Sequence, residues 1–178
     1  MKLNMKNYVS GTDYGEIYRL FTNEDVNHLI INKPDHNDMN SFQKWFEDKL
    51  LHSFNDFKVF RNKEDEFVGF AYSYEFNPLD GHALFSVAVI PKYQNIGAGA
   101  VITIDFLRYL FKTYNLRKIY IHIYDFNEHS LNCANNFGFK KEGELIEYRY
   151  YNERFSNLLI FSITREQFLN HPIIAKYN

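Results

Sequence analysis

Val87-Ala88-Val89-Ile90-Pro91-Lys92-Tyr93-Gln94-Asn95-Ile96-Gly97-Ala98-Gly99-Ala100 changes character midway. An apolar run ends at a proline, which stops a strand. Two glycines follow, and then Val101, Ile104, Leu107, Leu110, Phe111 and Tyr114 recur at helical spacing. The stretch predicts a strand, a glycine-containing turn and a helix start. Such a junction is an anion cradle. N–H groups of the first helical turn lack intrahelical partners, and the helix dipole adds partial positive charge. Gly97 and Gly99 remove side chains that would keep a phosphate away, and the small Ala98 and Ala100 widen the approach.

Two other glycine motifs fit poorly. A dinucleotide fingerprint needs a third small residue where Ile102 stands, and an acidic residue at the end of the next strand. A P-loop needs G-K-[ST], which is absent. A glycine turn that serves only tight helix–strand packing stays open.

Outward from this stretch, Ile119-Tyr120-Ile121-His122-Ile123-Tyr124 alternates as a strand. Strand, long helix and strand predict a right-handed βαβ unit with parallel strands. A short helix is expected from about Glu128 to Asn136, closed by Gly138. Two strands follow, about Glu144–Tyr151 and Leu158–Thr164, joined by a turn at Asn152–Asn157. Upstream, the runs 57–61, 67–74 and 83–90 read as an antiparallel meander, broken by the polar turn 62–66 and by Asn77-Pro78-Leu79-Asp80-Gly81. The first third reads as helical, with capping boxes at Asp13/Glu16 and Asn40/Gln43. The fold class is α/β (α+β), a mixed central sheet of about seven strands with a meander and a βαβ unit.

The chain has 178 residues, 46% hydrophobic and 24% charged, with a net charge of −2. That fits one domain, taken as 1–170, with a loose C-terminal tail at 171–178. Interspersed charge argues against a nucleic-acid binder. The lone Cys133 excludes internal disulfides and cysteine-rich metal sites, and no metal is expected. Without a signal-peptide core or a membrane-length apolar run, a cytoplasmic protein with no membrane partner is expected. The odd quantity is the aromatic content of 19%, with 18 Phe and 14 Tyr. Most of it, including Phe67, Phe70, Phe85, Phe106, Phe111 and Phe161, falls at core-facing positions. Tyr93, Tyr148, Tyr150 and Tyr151 lie beside the motif or on the closing hairpin.

Pro91-x-Tyr93-Gln94-x-x-Gly97-x-Gly99 resembles the acetyl-CoA motif Q/R-x-x-G-x-G/A of the GCN5-related N-acetyltransferases (GNAT). Asn127-Glu128-x-Ser130, followed by Gly138-Phe139-Lys140-Lys141-Glu142-Gly143, is similar to the pattern of the branch holding ribosomal-protein and spermidine acetyltransferases. The resemblance spans roughly residues 55–165 and implies the acyl-CoA N-acyltransferase fold.

The resemblance implies that backbone N–H groups of Gln94, Asn95, Ile96, Gly97, Ala98, Gly99 and Ala100 hold the pyrophosphate of acetyl-CoA. Val87, Ala88 and Val89 would pair with the pantetheine arm, one N–H near Val89 facing the thioester carbonyl. An oxyanion donor of that kind is worth roughly 3–4 kcal/mol. Asn127 would contact pantetheine, although an Asn there is also a good N-cap. Ser130 would act as general acid on the CoA sulfur. The chain departs from the family at Ala134, where many members carry a proton-donating Tyr, and at Leu84-Phe85-Ser86, which holds no carboxylate. Asp80, His82 and Glu75 are nearby in sequence, and of these His82 and Asp80 are the base candidates.

The expected activity is acetyl transfer to a primary amine: a protein N-terminus, an amino sugar, a polyamine or another small amine. A lysine-like amine costs roughly 4–5 kcal/mol to deprotonate at pH 7 and an α-amine about 1, so a chain with no clear base favours a low-pKa acceptor. Asp35, Asp38, Glu47 and Asp48 would suit a polyamine, whereas Lys33, Lys44 and Lys49 would suit a nucleotide-linked sugar. The competing functions are a non-catalytic acyl-CoA sensor and, through Tyr120, His122 and Tyr124, stacking on single-stranded nucleic acid. The branch also implies a homodimer.

Overall fold

The computed structural model describes residues 1–31, 38–51 and 55–176. Lys33, Asp35 and the side chain of Lys49 lie outside the described residues. The elements in chain order are β1 (Asn4–Asn7), α1 (Ser10–Thr22), α2 (Glu24–Asn27), α3 (Met39–Trp45), a π-helical turn (Phe46–Leu50), β2 (Phe57–Arg61), β3 (Phe67–Asn77) and β4 (His82–Val89). A 3-10 turn (Pro91–Tyr93), α4 (Ala98–Thr113), β5 (Lys118–Tyr124), α5 (Glu128–Asn136), β6 (Lys140–Tyr151), β7 (Arg154–Thr164), α6 (Arg165–Leu169) and α7 (Pro172–Lys176) complete it. The strands form a seven-stranded mixed sheet in the order β1-β2-β3-β4-β5-β7-β6. β2 runs antiparallel to β3, and β4 runs parallel to β5 with register His82↔Lys118 to Leu84↔Tyr120. The meander and the βαβ unit are therefore both present.

The chain divides into two compact units, Met1–Phe76 with Phe85–Leu110, and Asn77–Leu84 with Phe111–Asn178. In the first, the aromatic excess is core. Phe21 and Phe57 each stack on Phe70 at 5.1 Å, Phe42 stacks on Phe46 at 5.9 Å, and Phe42, Phe46 and Phe70 are at most 1% exposed. Fully burying each such ring stabilises the fold by about 1.5–3 kcal/mol. In the second unit, Ile119 and Ile163 pair across β5 and β7, and Phe111 packs on Phe168 at 5.5 Å. Arg165 donates to the carbonyls of Tyr114 and Leu116, both at 2.8 Å, which fixes the segment that follows α4. No helix among the described residues is long and apolar enough to cross a membrane.

Five local expectations are corrected. The chain begins with a strand: β1 pairs with β2 from Asn4↔Arg61 to Asn7↔Lys58, and its four exposed residues carry no alternation to read. α1 starts at Ser10, so Asp13 lies inside the helix, where its carboxylate accepts the Val9 N–H at 2.7 Å. Asp38, not Asn40, caps α3, its Oδ1 accepting the N–H groups of Asn40 and Ser41. The last hairpin turns on two residues instead of six. Asn152 (φ 51°) and Glu153 (φ 63°) are both left-handed, as a two-residue hairpin loop requires. The segment from His171 also differs from a loose tail, since α7 buries Ile174 to 2% exposure.

Two polar clusters fix the first unit. Arg61 on β2 reaches Asp13 at 2.5 Å and Glu16 at 2.7 Å on α1, with the Asp13 side chain only 4% exposed. Glu66, at the β2–β3 turn, accepts from the Tyr93 hydroxyl at 2.6 Å, Asn62 at 2.8 Å and Lys92 at 3.0 Å. This ties that turn to the turn leading into α4. The Tyr93 hydroxyl, with Lys92 and Asn62, holds the Glu66 carboxyl down to about 2.

Arg61→Ala strands a buried carboxylate and is expected to lower stability by about 3 kcal/mol, read from urea unfolding. The Glu66 carboxyl is depressed below its unfolded value of about 4.3, so its contribution is present above that pH and fades as pH falls toward 2. Acid titration of Glu66→Gln is expected to show a shallower stability loss than wild type between pH 5 and 2. Parallel curves would refute the assignment.

Candidate functional site

The end of β4 is held tightly against β3. A Cβ on Gly69 would meet the Ala88 carbonyl oxygen at 2.2 Å, so only glycine permits this approach. The Ile90 N–H donates to the Val68 carbonyl at 3.0 Å. Val87, Ala88 and Val89 close the strand, with Ala88 buried at 5% exposure. The turn that follows is closed by Tyr93 N–H to the Ile90 carbonyl at 3.0 Å and Gln94 N–H to the Pro91 carbonyl at 3.2 Å. The Gln94 side chain donates to the Val89 carbonyl at 3.0 Å. The Gln94 N–H is therefore engaged inside the turn.

The open donors begin one residue later. Asn95 (φ 59°) and Gly97 (φ 88°) are left-handed, and alternation of this kind turns successive N–H groups toward one side. The bond from Val101 N–H to the Gly97 carbonyl, at 3.1 Å, is a first-turn helical bond. The N–H groups of Ala98, Gly99 and Ala100 precede it at the positive end of the 16-residue α4.

The two glycines differ. A Cβ at Gly97 would meet nothing within 4 Å, so there the backbone conformation is what demands glycine. A Cβ at Gly99 would sit 3.7 Å from the Val89 side chain, an ordinary contact. Ala98 is buried at 1% exposure, so it packs inward and does not widen the approach; Ile96 is exposed. This donor set, with open space at Gly97, suits an anionic group such as a phosphate.

In the second unit, Asn127 caps α5, its Oδ1 accepting the Ser130 N–H at 3.1 Å. The capping role is thus filled, and Ser130 is half-buried beside it. Ala134, at the position of the family's tyrosine, is buried at 2% exposure. Partial burial pushes the Cys133 thiol up. Just ahead of the cap, Asp125 and Asn157 exchange bonds. The Asp125 N–H donates to the Asn157 carbonyl, and the Asn157 N–H to Asp125 Oδ2, both at 3.0 Å. Asn157 also accepts the N–H of left-handed Glu147 at 2.9 Å, fixing a bulge in β6.

Of the two base candidates, His82 begins β4. His82 meets Tyr120 edge-on at 5.7 Å. Asp80 accepts from Asn77 at 2.7 Å and holds the β3–β4 turn. Each makes a contact within the fold where it stands. Of the acceptor-side carboxylates, Asp38 is the α3 cap and Glu47 accepts from Gln43 at 2.9 Å, whereas Asp48 and Lys44 are exposed.

Sequence reading missed the side-chain role of Gln94 and the Glu66 cluster, both of which join residues by chain folding. It also missed the left-handed Asn95, although Asn two residues ahead of a glycine is a usable signal for such backbone.

The profile of the acetyltransferase (GNAT) domain matches residues 8–159. A spermidine N(1)-acetyltransferase of Vibrio cholerae is 26% identical over 149 residues, 75% of this chain and 86% of that protein. A spermidine N(1)-acetyltransferase of Escherichia coli is 26% identical over 122 residues, 68% of this chain and 66% of that protein. The crystal structure of the Vibrio cholerae spermidine N-acetyltransferase in complex with CoA and spermine aligns with a TM-score of 0.86 at 22% identity, covering 94% of this chain and 98% of that one. With the strand–turn–helix cradle and the parallel βαβ unit in place, the match over most of its length makes the chain a member of the acetyltransferase (GNAT) domain family.

Proposed function

We propose that this chain is an acetyl-CoA-dependent N-acetyltransferase acting on a primary amine, with polyamines the first class of acceptor. The observation that carries the reading is the set of N–H donors on exposed Asn95, Ile96 and Gly97 and half-buried Gly99 and Ala100, set by the left-handed Gly97 (φ 88°) at the start of α4. In this reading those donors take the pyrophosphate, Val87 to Val89 pair with pantetheine, and Asn127 and Ser130 serve the same cosubstrate. The amine nitrogen forms the new C–N bond as the thioester C–S bond breaks. The amine gives up a proton and the CoA thiolate takes one, for which Ser130 is the named donor. The polyamine class rests on the named activities of the relatives, and it departs from the low-pKa acceptor that a missing base favours.

Thiol release measured across spermidine, spermine, an N-terminal peptide and an amino sugar tests this. Turnover with a polyamine is expected, with kcat/KM rising about tenfold per pH unit below the amine pKa, because a proton must leave before attack. Ser130→Ala is expected to lower kcat. Gly97→Ala forces a side chain into left-handed backbone at about 1–2 kcal/mol and is expected to weaken acetyl-CoA binding. Preferred turnover of the peptide would move the acceptor to protein N-termini. CoA binding without turnover of any amine would make the chain an acyl-CoA sensor.

We also infer a homodimer. Ile146, Tyr148, Tyr150 and Phe155 are 69%, 49%, 65% and 61% exposed on the β6–β7 hairpin, and β6 is the sheet edge. Exposed Glu147 and Arg154 give this face both signs of charge, which suits a two-fold contact with a second copy. Light scattering is expected to give twice 21.4 kDa for wild type and a shift toward monomer for Tyr150→Arg. A monomeric wild type at micromolar concentration would overturn this.

A further inference from the structure

We propose that the Gln94 side chain is a positioning residue that sets the strand carrying the thioester end at a fixed distance from the pyrophosphate cradle. The inference rests on the acetyl-CoA reading above. The peptide joining Val89 to Ile90 is held from both sides. Its N–H, that of Ile90, donates to the Val68 carbonyl at 3.0 Å, and its carbonyl, that of Val89, accepts from Gln94 Nε2 at 3.0 Å.

The first bond belongs to the sheet. The second comes from the residue directly ahead of the first open donor. Gln94 is itself fixed by its N–H to the Pro91 carbonyl at 3.2 Å, so its side chain starts from a defined point. The result is a closed loop from Val89 to Gln94 with the strand end on one side and Asn95 on the other.

Without the side-chain bond, the Val89 carbonyl loses its acceptor contact and the exit from β4 is held on one side only. The cradle donors and the strand would then no longer be preset to the spacing of one extended ligand. Ordering them on binding would weaken affinity for a ligand that needs both, which is the ordinary cost of lost preorganisation. A donor of sufficient reach is all the role requires, so Arg is an acceptable replacement and an apolar side chain of the same length is not.

Calorimetric titration of acetyl-CoA into wild type, Gln94→Met and Gln94→Arg, with melting temperatures of each, tests this. The expected result for Gln94→Met is an affinity loss of about three- to tenfold, the worth of one net hydrogen bond. The acetyl-CoA KM is expected to rise in step, the amine KM to stay unchanged, and the melting temperature to fall by about 2–4 °C, the cost of one hydrogen bond in a chain of this size. Gln94→Arg is expected to restore affinity. Wild-type affinity in Gln94→Met, or a lower melting temperature with unchanged affinity, would overturn the positioning role while leaving the acetyl-CoA reading intact. Absence of acetyl-CoA binding by the wild type would overturn that reading and this inference together.

Discussion

The left-handed backbone at Gly97 is the constraint from which the rest of the cradle follows. A helix can offer its first-turn N–H groups to a ligand only if the chain enters from a direction that leaves them uncovered. Here the entry is made through Asn95 at φ 59° and Gly97 at φ 88°. Before that point, the polar backbone groups of the turn are matched to one another: Ile90 to Val68, Tyr93 to Ile90 and Gln94 to Pro91. After it they are open. The boundary between paired and open backbone is therefore a single residue wide, and it falls between Gln94 and Asn95. The donors of exposed Asn95, Ile96 and Gly97 are stable because water serves them, and they remain ready for an anion.

Most of the fold was legible because its signals are periodic. β2 at 57–61 and α5 at 128–136 lie where alternation and helical spacing put them, and the change of period at Gly97 marked the βαβ unit. What was not legible lacks a period. β1 is four exposed residues whose only reason to be a strand is the edge of β2. The β6–β7 turn has no glycine, and Glu153 in particular gave no hint that it is left-handed. The Arg61–Asp13–Glu16 cluster joins residues 48 and 45 apart in sequence, a separation at which no local pattern operates.

Legibility of the site divides along the same line. The cradle is a backbone feature, and its requirement for small or left-handed residues leaves a mark in the sequence at Gly97. Catalytic side chains leave no such mark. Proximity in sequence was the only ground for naming His82 and Asp80. Gly99 carries a second lesson. It belongs to the motif that points to the family, yet a Cβ there meets Val89 at an ordinary 3.7 Å, so the fold alone does not demand glycine. A residue that the family pattern asks for and the fold does not is better explained by the approach of a ligand.

The acid–base groups that the family pattern leads one to expect are missing at Ala134 and across Leu84 to Ser86, and the energetics show how much that matters. Deprotonating a polyamine nitrogen at pH 7 costs roughly 4–5 kcal/mol. Holding the amine and thioester in an attacking geometry contributes about 7–11 kcal/mol. The second quantity exceeds the first, so positioning can carry the reaction without a dedicated base. In such an enzyme the demand falls on the backbone that presets the cosubstrate, and on the proposed reading the tightly matched turn from Val89 to Gln94 is where this chain would meet it.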